Sequence, residues 1–316
     1  MAIFKDYLEN KSPLILHGAL GTEMESLGYD ISGKLWSAKY LLEKPEVIQK
    51  IHETYVAAGA DLITTSSYQA TLPGLIDAGL TKEEAEQIIA LTVQLAKNAR
   101  DKVWATLDDS EKAKRPYPLI SGDVGPYAAY LANGSEYTGD YGQIIIEALK
   151  EFHRPRIQIL LDHGVDLLAL ETIPNYLEAQ ALIELLAEEF PEAEAYISFT
   201  VQEPGTISDG TSLDEIAQLV SQSDQILALG INCSSPLLYN QALAILKDVG
   251  KALITYPNSG EVYDGSTQTW KPKDKDALTL VEHSKDWHTQ FGVKILGGCC
   301  RTRPNDIKAL YTEFRT

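Results

Sequence analysis

Eight short apolar runs recur along the chain, and longer segments with helical periodicity separate them. The runs lie at residues 13–17, 61–65, 118–122, 166–170, 194–200, 226–231, 251–256 and 292–297. Short apolar runs bounded by glycine and polar residues are typical of buried parallel strands, and their alternation with helices predicts an α/β fold. Eight such units predict a (β/α)8 TIM barrel that forms one domain over residues 1–316. An open doubly wound sheet is the alternative.

Residues 45–58 illustrate the helical segments. Pro45 suits a first helical turn, where its missing N–H costs nothing. One helical face then collects the apolar side chains of Val47, Ile48, Ile51, Tyr55 and Ala58. Gly59 can take the left-handed conformation that ends a helix, so we expect the helix to stop there.

Polar and glycine-rich clusters follow seven of the eight apolar runs. These clusters lie at residues 17–23, 64–69, 122–127, 171–172, 232–234, 257–261 and 297–301. Active sites of (β/α)8 barrels lie at the C-terminal ends of the strands. The clusters therefore predict one functional site, at that rim of the barrel.

The net charge of −18 argues against a nucleic-acid backbone or an anionic membrane surface as partner. No run approaches the roughly 20 apolar residues of a membrane span, and the start of the chain has no secretory signal pattern. An odd count of three cysteines, two of them adjacent, is a poor disulfide framework. We therefore expect a cytoplasmic protein.

Cys233, Cys299 and Cys300 all follow predicted strands, so in a barrel they share one rim. Three thiolates hold zinc in tetrahedral geometry and leave the fourth position open, which is the pattern of a catalytic site. Gly297 and Gly298 would let the backbone bend so that both neighbouring sulfurs face one ion. The alternatives are ordinary buried cysteines or a strained bond between Cys299 and Cys300.

Zinc with three thiolates carries a formal charge of −1 and is a weak Lewis acid toward water. A soft site of this kind favours an incoming thiolate instead. The metal would lower the pKa of a substrate thiol from about 8.5, so that the thiolate exists at neutral pH. The cysteines thus suggest a thiol substrate that attacks an activated methyl group.

The chain resembles the homocysteine S-methyltransferase family, in particular the type that uses S-methylmethionine or S-adenosylmethionine. The resemblance covers nearly the full length. It is carried by HGALGTE at 17–23, SSYQAT at 66–71, GPY at 125–127, GSEYTG at 134–139, LETIP at 170–174, GINC at 230–233, YPNSGEVYD at 256–264 and GGCCRTRP at 297–304. The combination of GINC with GGCC is highly specific.

The resemblance implies a homocysteine-binding barrel with one zinc per chain, held by the three cysteines, that makes methionine from homocysteine. It implies that Glu171 pairs with the substrate ammonium. It also implies substrate-site positions for Gly18 and for Asn232, which would position the site by hydrogen bonding. His17 departs from the family, which usually has Asp there. With a pKa near 6.5, His17 would gain a proton as pH falls and repel the ammonium.

The second substrate implied is a methylsulfonium donor, a soft cation that suits aromatic faces and a carboxylate. The candidates are Tyr68, Tyr137, Glu261 and Trp270, of which Tyr68 and Glu261 lie in the matched motifs. The absence of a dinucleotide or Walker fingerprint predicts that no nucleotide cofactor is used.

Two other classes of function remain open from the residues alone. A zinc hydrolase would recruit histidines or carboxylates, and of the six histidines only His17 follows a predicted strand. A redox sensor or zinc store would use the same three thiols, with an oxidant pairing Cys299 and Cys300. The sequence leaves the oligomeric state and the preferred methyl donor open.

Overall fold

The structure is a computed structural model that describes residues 3–33, 35–264, 269–271 and 277–315, with the backbone alone at 262–264 and 269–271. Its strands are β1 Leu14–Ile15, β2 Leu62–Thr64, β3 Leu119–Val124, β4 Leu167–Ile173, β5 Ala195–Phe199, β6 Ile226–Asn232, β7 Ala252–Tyr256, β8 Val262–Asp264, β9 Thr269–Lys271 and β10 Ile295–Leu296. Its helices are α1 Ile3–Leu8, α2 Leu20–Ser26, α3 Lys39–Glu43, α4 Pro45–Ala58, α5 Leu72–Asp77, α6 Lys82–Thr106, α7 Asp109–Lys112, α8 Tyr127–Leu131, α9 Ile146–Asp162, α10 Tyr176–Glu189, α11 Leu213–Ser221, α12 Tyr239–Leu246, α13 Leu280–Phe291 and α14 Pro304–Arg315.

Eight parallel strands form the sheet, in the order β1-β10-β7-β6-β5-β4-β3-β2. A parallel bridge between Leu16 and Leu62 joins the two ends, so the sheet closes on itself. The predicted (β/α)8 barrel is confirmed, and the open doubly wound sheet is excluded. All eight barrel strands lie within, or extend slightly beyond, the eight apolar runs.

Side chains alternate along each strand between the barrel interior and the layer under the helices. The interior is apolar at the base, where Leu14, Leu62, Leu119, Leu167 and Ile295 pack together. Toward the C-terminal ends, the strand positions of the same parity carry polar side chains, namely Thr64, Ser121, Asp123, Glu171, Ser198 and Asn232. The barrel therefore has a sealed base and a polar mouth.

The helices cover the outside of the barrel. Helix α4 begins at Pro45 and ends at Ala58, as the periodicity predicts. Gly59 has a φ of 111°, and a Cβ there would collide with the ring of Tyr311. None of the helices described is both long and apolar enough to cross a bilayer.

A two-stranded antiparallel hairpin, β8 with β9, follows β7 and stands apart from the barrel sheet. Its two short strands lie outside the eight apolar runs, so the sequence pattern did not predict the hairpin. It begins one residue after Glu261, at the C-terminal rim where the candidate site lies.

Candidate functional site

The three cysteines meet at the mouth of the barrel. Their sulfurs all lie within 4.8 Å of one another. Strand β7 lies between β6 and β10 and anchors both cysteine segments. The N–H of Cys233 donates to the carbonyl of Tyr256, and the N–H of Cys299 donates to the carbonyl of Pro257. Cysteines far apart in sequence therefore converge because their strands flank the same neighbour.

The sulfurs of Cys233 and Cys299 are at bonding distance, and Cys300 is the free thiol. The alternative weighed from the sequence, a bond between the neighbours Cys299 and Cys300, is therefore wrong. Neither Gly297 nor Gly298 has a positive φ. A Cβ on Gly297 would lie 2.7 Å from the Cβ of Leu16, so these glycines permit close packing at the barrel rim.

The thiols suit a tetrahedral metal ion. Sulfur ligands at about 2.3 Å from zinc lie about 3.8 Å from each other. The sulfurs of Cys233 and Cys300 are 3.9 Å apart. Burial raises the pKa of the Cys300 thiol to about 12 in the metal-free protein, so a cation is needed to make this side chain a thiolate near neutral pH. The donor set therefore fits zinc once the bond between Cys233 and Cys299 is reduced.

The backbone around the site adopts left-handed conformations that non-glycine residues rarely take. Cys233 has a φ of 47°, Arg301 a φ of 68° and Thr172 a φ of 63°. Such residues cost of order 1–3 kcal/mol each and persist where the surrounding structure fixes them. The strain is concentrated next to the cysteines and Glu171, which is typical of functional sites.

Asn232 fixes the end of strand β4. Its Oδ1 accepts from the N–H of Thr172 at 3.0 Å, and its Nδ2 donates to Oγ1 of Thr172 at 2.7 Å. The register of β4 against β5 shifts between Leu170 and Ile173. Asn232, which precedes Cys233, therefore couples the cysteine segment to the strand end that carries Glu171.

Glu171 points into the barrel mouth. The hydroxyl of Tyr256 donates to its Oε2 at 3.2 Å. Burial raises the pKa of Glu171 to about 7, and the hydrogen bond from Tyr256 opposes this rise. A carboxylate with this environment gains from a cationic ligand, which would restore its ionised form.

His17 contacts Tyr55 of α4, with ring centroids 5.5 Å apart. Its Nδ1 donates to the carbonyl oxygen of Gly18, and its buried Nε2 has no hydrogen-bond partner among the residues described. Burial lowers the pKa of His17 to about 4. The expectation that this imidazole titrates near pH 6.5 is therefore wrong, and the side chain is neutral at physiological pH.

Tyr68 and Glu261 lie in different surroundings at the rim. The hydroxyl of Tyr68 donates to Oε1 of Glu136 at 3.0 Å. Burial, followed by the charges of Glu136 and Glu171, raises the pKa of Tyr68 well above its usual range. Glu261 instead accepts from Nε of Arg301 and lines a cavity of about 380 Å³.

The side chain of Trp270 lies outside the described residues, and Tyr137 is about half exposed at 45%. Sequence reasoning missed Asp123 and Glu136 as site residues. Asp123 lies within β3, where its position is not distinctive without knowing which side of the strand faces inward. Glu136 is found only through its contact with Tyr68.

The closed barrel, with thiols and a carboxylate at its C-terminal mouth, has the architecture of a (β/α)8 enzyme. The sequence comparisons make the class specific. The model of the homocysteine S-methyltransferase family matches residues 14–314. The chain is 44% identical over 305 residues to homocysteine S-methyltransferase YbgG of Bacillus subtilis, covering 96% of this chain and 95% of that protein.

Solved structures agree. The homocysteine methyltransferase MmuM from Escherichia coli, in its metallated form, superposes with a TM-score of 0.85 at 40% identity, covering 98% of both chains. The oxidised form of the same enzyme gives a TM-score of 0.85 at 40% identity, covering 97% of both chains. The chain belongs to the homocysteine S-methyltransferase family, and it is a methyltransferase.

Proposed function

We propose that the chain transfers a methyl group from a methylsulfonium donor, S-methylmethionine or S-adenosylmethionine, to the thiol of homocysteine, forming methionine. The observation that carries the proposal is the convergence of Cys233, Cys299 and Cys300 within 4.8 Å at the barrel mouth. The whole chain would act as one homocysteine-binding barrel with one zinc. Because the site needs reduced thiols, the cytoplasm is the compartment that the proposal requires.

The three cysteines would hold the zinc, which when bound supplies positive charge that keeps the homocysteine sulfur in its nucleophilic thiolate form. Glu171 would bind the ammonium group of homocysteine and so fix the distance between that group and the thiolate. Asn232 would act through Thr172, by holding the strand end that aims Glu171. Neutral His17 would offer the lone pair of Nε2 as an acceptor, and Gly18 would fix the imidazole tautomer.

In the transfer itself, the thiolate sulfur attacks the methyl carbon in line with the bond to the donor sulfur. The new carbon–sulfur bond forms as the old one breaks, and its electron pair stays on the donor sulfur, which becomes a neutral thioether. The face of Tyr68 suits the positive charge of the donor, and Glu261 supplies a carboxylate at the same rim. No proton moves in this step.

The assay is methionine formation by reduced, zinc-loaded protein from homocysteine and either sulfonium donor. We expect about one zinc per chain, and each single replacement Cys→Ala at 233, 299 or 300 should remove most of the zinc and the methyl transfer. Ser259→Ala is the matched control, since its N–H donates to the carbonyl of Cys300 while its side chain offers no thiol. Full zinc retention in any Cys→Ala variant would refute the three-ligand site.

The preferred donor is decided by comparing kcat/KM for the two sulfonium compounds under the same conditions. A sulfonium donor should sustain turnover, whereas glycine betaine should not, because betaine carries its methyl group on nitrogen and lacks the larger amino-acid portion. Turnover with betaine alone would contradict the proposed donor class.

A further inference from the structure

Asp123 is a buried carboxylate that the reaction described above leaves unused. It lies in strand β3, and its side chain is on the inward-facing side of the barrel, with that of Ser121 two residues before it. Only 4% of the residue is exposed. Its backbone is held on both sides, because its N–H donates to Oγ1 of Thr65 and its carbonyl accepts from Oγ of Ser67.

The side chain of Asp123, by contrast, lacks a partner at one oxygen. Among the described residues, no group donates a hydrogen bond to its Oδ1. The buried cation Arg156 faces it from α9, but the guanidinium donates to the carbonyls of Ser67, Tyr68 and Gly125. A buried carboxylate oxygen without a donor is costly, so a ligand that donates a hydrogen bond to Oδ1 would be stabilised there.

Asp123 lies close below Glu171 in the barrel mouth. In the pairing of β3 with β4, Asp123 is level with Ala169, and Glu171 is two residues further along the same inward face. Ala169 contributes only a methyl group, so it leaves space between the two carboxylates. Burial raises the pKa of Asp123 well above its usual range, and the charge of Glu171 raises it further. Two buried carboxylates, one of them with an unpaired oxygen, therefore face one region of the interior.

We propose that Asp123 is a second carboxylate of the acceptor site and that it binds, together with Glu171, the ammonium group of the amino-acid thiol. This inference rests on the proposed function. A primary ammonium has three donors, enough for two carboxylates, whereas Glu171 alone leaves Asp123 unpaired. Binding of the ammonium satisfies both acid groups and sets the direction of the acceptor, with its ammonium toward the interior and its thiol toward the cysteines.

The test compares homocysteine with 4-mercaptobutanoate, which keeps the thiol and the carboxylate but lacks the ammonium. The measured quantity is the ratio of kcat/KM for the two thiols, with zinc-loaded protein. Asp123→Asn should lower this ratio by about tenfold or more, since a charge-assisted bond is lost for homocysteine only. Glu171→Gln should lower it in the same direction. The ratio is independent of the folded fraction of each preparation.

Glu178→Gln is the control, because Glu178 is an equally buried carboxylate that pairs with His153 outside the barrel interior. It should leave the ratio unchanged. If Asp123 serves only as a counter-charge for Arg156, its replacement will lower kcat/KM equally for both thiols. The ratio will then stay at the wild-type value, which overturns the inference. If Asp123→Asn does not fold, the same ratio measured with Asp123→Ser, which has a smaller side chain, tests the inference in the same way.

Failure of the proposed function would look different. In that case the wild-type protein would produce no methylated thiol from either acceptor with any sulfonium donor. Calorimetric titration of the zinc-loaded protein with the same two thiols would still decide the role of Asp123. A preference for homocysteine that persists undiminished in Asp123→Asn contradicts the inference, and a lost preference supports it.

Discussion

His17 shows how burial changes the chemistry of a single residue. Its ring packs against Tyr55, and the Gly18 carbonyl holds Nδ1 in its protonated form. Burial favours the neutral imidazole, so the pKa falls to about 4. The protonated form that would repel an ammonium group is therefore scarce at the pH values where the enzyme is expected to work.

We predict that the KM for homocysteine shows no His17 titration between about pH 5.5 and 7.5, because a group with a pKa near 4 stays neutral there. The pH profiles of wild type and His17→Asn should therefore have the same shape over this range. His17→Asp should bind homocysteine at least as well at neutral pH, since a carboxylate can pair with the ammonium. A wild-type KM that rises below about pH 6.5, but not in His17→Asn, would contradict the lowered pKa.

At the scale of elements, the hydrogen bonds between the ends of β4 and β6 govern the geometry of the barrel mouth. Both hydrogen bonds of the Asn232 amide go to Thr172, which has a left-handed backbone conformation. Both residues are buried, with Asn232 at 0% and Thr172 at 4% exposure. Without the amide, the N–H of Thr172 would be buried and unpaired, and Glu171 would lose its fixed direction.

Asn232→Ala should lower the free energy of unfolding by about 1–3 kcal/mol, the cost of an unsatisfied buried group. It should also raise the KM for homocysteine more than it lowers kcat, because the role proposed for Glu171 is to bind the substrate ammonium. Denaturant unfolding and steady-state kinetics measure the two effects.

The matched control is Asn240→Ala, which removes the acceptor for the indole N–H of Trp287 on the outer helices. This variant should lose stability without a change in the KM for homocysteine. Equal changes in KM for both variants would mean that Asn232 supports the fold in general and has no particular role at β4.

For the molecule as a whole, the proposed zinc ligands lie beyond the ends of β6 and β10. Two apolar cores, one inside the barrel and one between the strands and the helices, stabilise the fold. Of the three cysteines, only Cys299 packs against one of them, at the edge of the inner core. The barrel is therefore expected to fold without zinc. Zinc bound to the native state alone adds stability by mass action.

Reduced protein with and without a chelator should thus show the same helix and strand content by circular dichroism. Zinc at about 100 times its Kd should add about 2.7 kcal/mol to the free energy of unfolding and raise Tm by several degrees. Cys300→Ala should abolish that rise. An unfolded metal-free chain would contradict the conclusion that the zinc site lies outside the apolar core. An undiminished Tm rise in Cys300→Ala would contradict zinc binding by Cys300.

The sequence by itself determined the fold class and the candidate zinc ligands. Strand length and helix periodicity are local properties, so eight apolar runs alternating with amphipathic helices were enough to predict the closed barrel. The chain has only three thiols, all placed after predicted strands, so a zinc–thiolate site had no other choice of residues. The resemblance to the homocysteine S-methyltransferase family pointed to Glu171 and Asn232.

Only the tertiary structure decided which other side chains share the mouth and what state they take. Whether Asp123 faces inward depends on the register of β3 against β4, which no local pattern in this chain reveals. The pKa of His17 depends on its burial against α4. The hydrogen-bond partner of Tyr68 is Glu136, which is far away in the sequence. These are long-range contacts, and local periodicity carries no information about them.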